Sequence, residues 1–209
     1  MKIKTMVLGP VETNVYFLIR EESGEAVLFD PADAPDRICD FLKKEGLALK
    51  AVCLTHGHFD HINGLAGLLK EIPVPVYASA GEERLLSDGE LNESLGFYGR
   101  AVTVKADHLL KDGEVFEAAG FAIEMIDTPG HTEGSCCYYL KEENVLFSGD
   151  TLFEGSVGRT DLATGSMKEL LRSIQEKLSP LPDETAVYPG HGGMTTIGDE
   201  KKWNPYWRE

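Results

Sequence analysis

The chain has 209 residues, 42% of them hydrophobic and 26% charged, with a formal net charge of -15 at pH 7. That length and balance fit one large domain or two small ones with a substantial core, and they exclude a chain too polar to fold. The excess of acid disfavours docking on nucleic acid or on an anionic membrane.

The first 19 residues, MKIKTMVLGPVETNVYFLI, hold two lysines but no continuous apolar run and no small-residue cleavage site. No stretch reaches the length of a membrane span, so a cytoplasmic protein is expected. Residues 2–8 and 13–20 read as strands around the turn GPVET, and AVLFDP (26–31) as a short strand ended by proline. Ile38, Phe41 and Leu42 have helical spacing, with Gly46 as the stop. AVCLT (51–55) is a buried strand, INGLAGLLKEI (62–72) a helix and VPVYAS (74–79) a strand.

Residues 80–112 show no single period; a helix over 82–86 and a loop over 89–100 are expected. Strands follow in EVFEAAG, FAIEMIDT, SCCYYL and NVLFSGD, separated by Asp112-Gly113, Ala119-Gly120 and Glu143-Asn144 turns. Ser166 and Glu169 have capping-box spacing ahead of an apolar stripe of Leu170, Leu171, Ile174 and Leu178. TAVYPG (185–190) is the last strand, and IGDEKKW (197–203) a short helix. Two runs of strands, each accompanied by helices, predict two packed sheets with helices outside. None of Cys39, Cys53, Cys136 and Cys137 forms a CxxC pair, which predicts reduced thiols, mostly in the core.

Of six histidines, three stand in THGHFDH (55–61) with an aspartate. The donors His56, His58, Asp60 and His61 follow a strand end, and Gly57 lets the backbone approach closely. Three more donors each follow a glycine after a strand: His131 in DTPGHT, Asp150 in FSGDT and His191 in YPGHG. Five histidines and two aspartates suffice for two ions sharing a carboxylate. Imidazole with carboxylate suits zinc, iron or manganese, and the lack of thiolate argues against a structural zinc. His108, in KADHLL, reads as an unrelated surface residue.

His56-Gly-His58-Phe-Asp60-His61 resembles the HxHxDH signature of the metallo-beta-lactamase fold superfamily, and His131, Asp150 and His191 match its later motifs in order. The resemblance implies a four-layer alpha-beta/beta-alpha sandwich of the α+β class. It also implies one metal on His56, His58 and His131, a second on Asp60, His61 and His191, and Asp150 bridging them. Within the superfamily, GDTLFEGSVGRTD and PGHGGMTTIGDEKKWNP look like the short glyoxalase II-type hydrolases, which cleave thioesters such as hydroxyacylglutathione.

The expectation is therefore one domain over 1–209 without a helical glutathione-binding domain, carrying two divalent ions, with zinc the first choice and iron or manganese as alternatives. A hydroxide bridging two dications would attack a thioester carbonyl. Asp60 and Asp150 would be the catalytic carboxylates, the first orienting the nucleophile and the second fixing the metal spacing. Arg159 would grip a substrate carboxylate, unless it pairs with Asp161. Asn14 and Tyr16 match a family strand motif and are expected to be structural.

A mononuclear iron persulfide dioxygenase shares the fold, but that family usually has alanine where Gly190 stands. Beta-lactamases usually carry cysteine or another ligand where Asp150 stands. A metal-binding module without hydrolase activity is the non-enzymatic alternative.

Overall fold

The computed structural model describes residues 1–208. Its strands are β1 (Lys2–Leu8), β2 (Thr13–Arg20), β3 (Glu25–Phe29), β4 (Ala48–Cys53), β5 (Val76–Ser79), β6 (His108–Leu110), β7 (Val115–Ala118), β8 (Phe121–Asp127), β9 (Cys136–Leu140), β10 (Val145–Gly149), β11 (Leu152–Phe153), β12 (Ser156–Val157), β13 (Ala186–Pro189) and β14 (Thr195–Thr196). Its helices are α1 (Pro35–Glu45), α2 (Phe59–Ile62), α3 (Leu65–Glu71), α4 (Glu83–Ser87), α5 (Ser94–Tyr98), α6 (Met167–Ser173) and α7 (Ile197–Trp203). One six-stranded sheet has the order β1-β2-β3-β4-β5-β6, the other β14-β13-β10-β9-β8-β7.

The side-chain alternation of the strands builds the layers. Leu18, Val27, Phe29 and Cys53 of the first sheet meet Phe121, Ile123, Met125, Cys136, Tyr138 and Phe147 of the second in one buried cluster. Their neighbours Phe17 and Leu28 face outward and are covered by Ile38 and Leu42 of α1 and Leu65 and Leu68 of α3. On the far side, Ile126, Cys137, Tyr139 and Leu146 lie under Leu170 of α6 and Ile197 of α7. The result is the four-layer sandwich expected, with the adjacent Cys136 and Cys137 on opposite faces. All four cysteines are free thiols.

Local chemistry explains the helix limits. Pro35 opens α1 where no amide donor is required, and Gly46 closes it in the left-handed region at φ 66°. Ser166 caps α6 by accepting from the Glu169 amide. The structure corrects the reading of 89–100 as a loop, since 94–98 form α5. No periodicity announced this helix because tertiary bonds hold it. The Asn92 side chain accepts from the Ser94 amide at 3.0 Å and donates to Val102 O at 2.8 Å. Of the helix expected over 62–72, residues 65–71 form α3, and Ile62 instead ends the short helix α2.

Strand direction places the site. β4 is parallel to β3 and β5, and β10 to β13. β8 and β10 are both antiparallel to β9, so they run alike. The loops leaving β8, β10 and β13 therefore emerge on one edge. The loop after β4 reaches the same edge, where Thr55 O accepts from the Cys136 amide at 2.9 Å and joins the sheets.

Candidate metal centre

All seven donors singled out in the sequence come together at this edge. His56, His58, Asp60 and His61 stand on the loop after β4 and on α2. His131, Asp150 and His191 follow β8, β10 and β13. The last two loops are tied backbone to backbone, the Gly190 amide donating to Gly149 O at 2.8 Å.

The donor atoms form three overlapping groups: His56, His58 and His131; His56, His61 and Asp150; Asp60, His61 and His191. His131 Nε2 lies 2.8 Å from His58 Nδ1 and 3.2 Å from His56 Nε2. His191 Nε2 lies 3.2 Å from Asp60 Oδ2, and His61 Nε2 3.4 Å from the same oxygen. Asp150 stands between these sets, at 3.4 Å from His61, 3.5 Å from His191 and 3.6 Å from His131.

Three buried donor atoms, His58 Nε2, His61 Nε2 and Asp150 Oδ1, have no hydrogen-bond partner among the described residues. A buried polar atom without a partner is costly, and a cation would satisfy His61 Nε2 and Asp150 Oδ1 together, whereas His58 turns Nδ1 toward the other donors. Burial, with neighbouring histidines, holds His56 well below the ordinary range and His58 down to about 3, so both offer lone pairs. Burial opposes ionisation of Asp60 and Asp150, but the surrounding histidines outweigh it and hold both carboxyls low. His56 and His58, neutral beside ionised Asp60 and Asp150, are in the protonation state that ligation requires, whereas the adjacent carboxylates outweigh burial and push His61 and His191 up, so those two would release a proton on ligation. The residues therefore fit a pair of divalent ions of intermediate softness.

Residues 8–191 match the model of the metallo-beta-lactamase superfamily. The chain belongs to that superfamily. A relative described as a probable metallo-hydrolase, YqgX of Bacillus subtilis, is 42% identical over 207 residues, covering 99% of this chain and 97% of its own. The hydroxyacylglutathione hydrolase GloC of Haemophilus influenzae is 34% identical over 191 residues, 90% of each chain. Among solved structures, BLEG-1, described as a B3 metallo-beta-lactamase, superposes with a TM-score of 0.94 at 42% identity over both whole chains. TTHA1623 in a di-iron-bound form gives 0.84 at 35% identity, covering 97% of this chain and 99% of that one. ETHE1 from Myxococcus xanthus gives 0.81 at 30% identity, covering 98% and 84%.

The superfamily site is braced by residues that the sequence reading passed over. Asp30, with φ 50°, accepts from the Thr55 amide at 2.8 Å and its hydroxyl at 2.7 Å, and meets His61 Nδ1 at 3.0 Å. Thr13 donates to Asp60 Oδ2 at 2.9 Å. Glu82, 1% exposed, accepts from the Gly57 amide at 2.8 Å and the Thr132 hydroxyl at 2.9 Å. One carboxyl thus ties the loop of His56 and His58 to that of His131, and burial pushes its pKa up to about 7. Asp30 was visible as an acid ending the apolar strand AVLFDP; Glu82, in an aperiodic stretch, gave no signal. Asn14 and Tyr16 are structural as expected, both donating to Pro189 O beside the His191 loop.

Gly190 is fixed by space. A Cβ there would lie 2.1 Å from Asp150 Oδ1 and 2.7 Å from His61 Cε1. His108 belongs to none of the donor groups and stacks on Tyr77.

His58, Asp60, His131, Asp150 and His191 form the floor of a cavity of about 560 Å³, with walls that include Val11, Phe59, Glu93, Phe97, Arg159 and Leu162. Arg159 reaches this wall, but its guanidinium is held by Asp161 through two bonds of 2.7 and 2.8 Å. Its backbone oxygen lies 2.8 Å from His131 Nδ1. The pairing with Asp161 is the alternative that the two-residue spacing allowed.

Proposed function

We propose that this protein is a dinuclear thioester hydrolase of the glyoxalase II type, acting on hydroxyacylglutathione-like substrates. The observation that carries the reading is the convergence of seven donors, five of them lining one open cavity, with His61 Nε2 and Asp150 Oδ1 buried and without a hydrogen-bond partner among the described residues. The identity to GloC supports the thioester, and the di-iron form of TTHA1623 supports two ions.

His56, His58 and His131 would hold one ion and Asp60, His61 and His191 the other, with Asp150 shared. Such ions, when bound, acidify water to a nucleophile at neutral pH and polarise a carbonyl. Asp60 is the catalytic carboxylate of this chain. Thr13 fixes its Oδ2, which leaves Oδ1 to align the attacking water with the carbonyl carbon. Asp150 keeps the two donor sets in register, and His131 is held in one ring orientation by Arg159 O. Arg159 would exchange Asp161 for a carboxylate of the thiol carrier, a swap that costs little because the pair is exposed. The thiolate leaves without acid assistance.

The test is elemental analysis of protein purified without added metal, with S-lactoylglutathione hydrolysis assayed on the same sample. About two ions per chain with turnover is the expected result. Two ions without turnover would end the thioester reading.

Two other readings have a specific observation behind them. The likeness to ETHE1 favours a mononuclear iron persulfide dioxygenase. One iron per chain, with oxygen uptake on glutathione persulfide, would establish it. Against it stands Gly190, where the alanine usual in that family has no room beside Asp150. The likeness to BLEG-1 favours a beta-lactamase, and hydrolysis of nitrocefin at rates above those for thioesters would establish that.

A further inference from the structure

We propose that the Phe59–Phe97 stack is a subsite for an apolar, preferably aromatic, acyl group of the substrate. This deepens the thioesterase reading and rests on it for the word acyl.

Phe97 lies on α5, is 50% exposed and lines the cavity over the donors. An exposed aromatic ring that shares a cavity wall with Val11 and Leu162 is part of an apolar groove of the kind that takes a ligand. The ring is not loose. It stacks on Phe59 with centroids 4.4 Å apart and 20° between planes, and Tyr98 meets both rings edge-on. Phe59 itself stands between His58 and Asp60, so the stack begins at the donors.

The platform is also braced from behind. Asn92, wholly buried, takes the Phe59 amide on its backbone oxygen at 2.9 Å. The same residue fixes the first turn of α5 and the segment at Val102 through its side chain. The two rings are thus held in one orientation before any ligand arrives, which reduces the ordering cost of binding.

The occupant follows from the rest of the wall. Val11, 41% exposed, and Leu162 add apolar surface, while Glu93 and Arg159 are its charged groups away from the donors. Arg159 is the single cation there among the described residues and is assigned above to a carboxylate of the thiol carrier. The carrier being accounted for, the apolar wall is left for the acyl arm. Glu93 on the same wall disfavours an acyl group with an additional negative charge.

The metal-loaded enzyme would be assayed on S-mandeloylglutathione and S-lactoylglutathione. These share the thiol and the 2-hydroxycarbonyl and differ by phenyl against methyl. The expected kcat/KM is higher for the mandeloyl ester by about tenfold, mainly through KM. Phe97→Ala should bring the ratio near one, and Phe97→Leu should give an intermediate value. Leu95→Ala, on the same helix but outside the cavity wall, should leave the ratio as it was and so exclude a general loosening of α5. A wild-type ratio near one, or a preference that survives Phe97→Ala, would overturn the subsite.

Titration calorimetry with two inert thioethers, S-benzylglutathione and S-methylglutathione, reads the subsite without turnover. Tighter benzyl binding that Phe97→Ala abolishes would support it even if neither ester were hydrolysed, in which case only the thioesterase reading would fall. Equal binding of the two thioethers would count against the subsite whatever the rates.

Discussion

The donor floor and the wall above it are built on different terms. On the floor nearly every side chain is buried and has a second contact that fixes it: Asp30 for His61, Thr13 for Asp60, Glu82 for the loops of His56, His58 and His131. On the wall, Phe97 is half-exposed and Arg159 is held by one exposed acid. Charged groups out of water need every bond satisfied, whereas an exposed group changes partner cheaply. The floor is suited to one invariant chemistry and the wall to discrimination between substrates.

Replacing a donor should give the largest effect. Asp150→Ala removes the carboxylate shared by both sets and should lower kcat/KM by roughly a thousandfold or more, with bound metal falling below two per chain by elemental analysis. Unchanged metal content would show that Asp150 belongs to the wall's class of replaceable contacts. Stripping metal from the intact protein is the next test. Loss of a ligand held at about a hundred times its Kd costs about 2.7 kcal/mol, so chelation should lower Tm by roughly 5–10 °C. Calorimetry with and without chelator would measure it.

Glu82 sharpens the comparison because it touches neither cavity nor substrate. Glu82→Gln keeps the size but offers one acceptor where two are used. Metal affinity should fall about 10- to 100-fold, as for other residues that support ligands, measured by competition with a chromogenic chelator. An unchanged affinity would mean the loops hold themselves. On the wall, Arg159→Ala should raise KM for S-lactoylglutathione by about tenfold with kcat little changed. The smallest effect is expected from Asp161→Ala, which should leave the midpoint of a denaturant melt at the wild-type value. A large loss there would show that the Arg159–Asp161 pair is structural and not a reserve for substrate.

The donor set was legible because its chemistry recurs in a fixed local form: apolar strand, glycine, donor. The edge strand β6, with one buried residue in three, and the short pairs β11–β12 and β14 were not. Neither was α5, five residues long and without a periodic stripe, nor Glu82, which looks like any surface acid in GEERLL.

The sequence by itself determined the layers and the identity of the donors, because alternation in strands and donors at strand ends are local patterns. The tertiary structure alone decided what those patterns meet. Residues 82 and 132 share a hydrogen bond across fifty positions, and 59 and 97 share a stack across thirty-eight, only because the parallel order of β4, β5 and β6 and the packing of two sheets bring their loops to one edge. No spacing along the chain encodes such neighbours. They are selected by burial, which leaves each polar group on that edge to find the partner that folding has placed beside it.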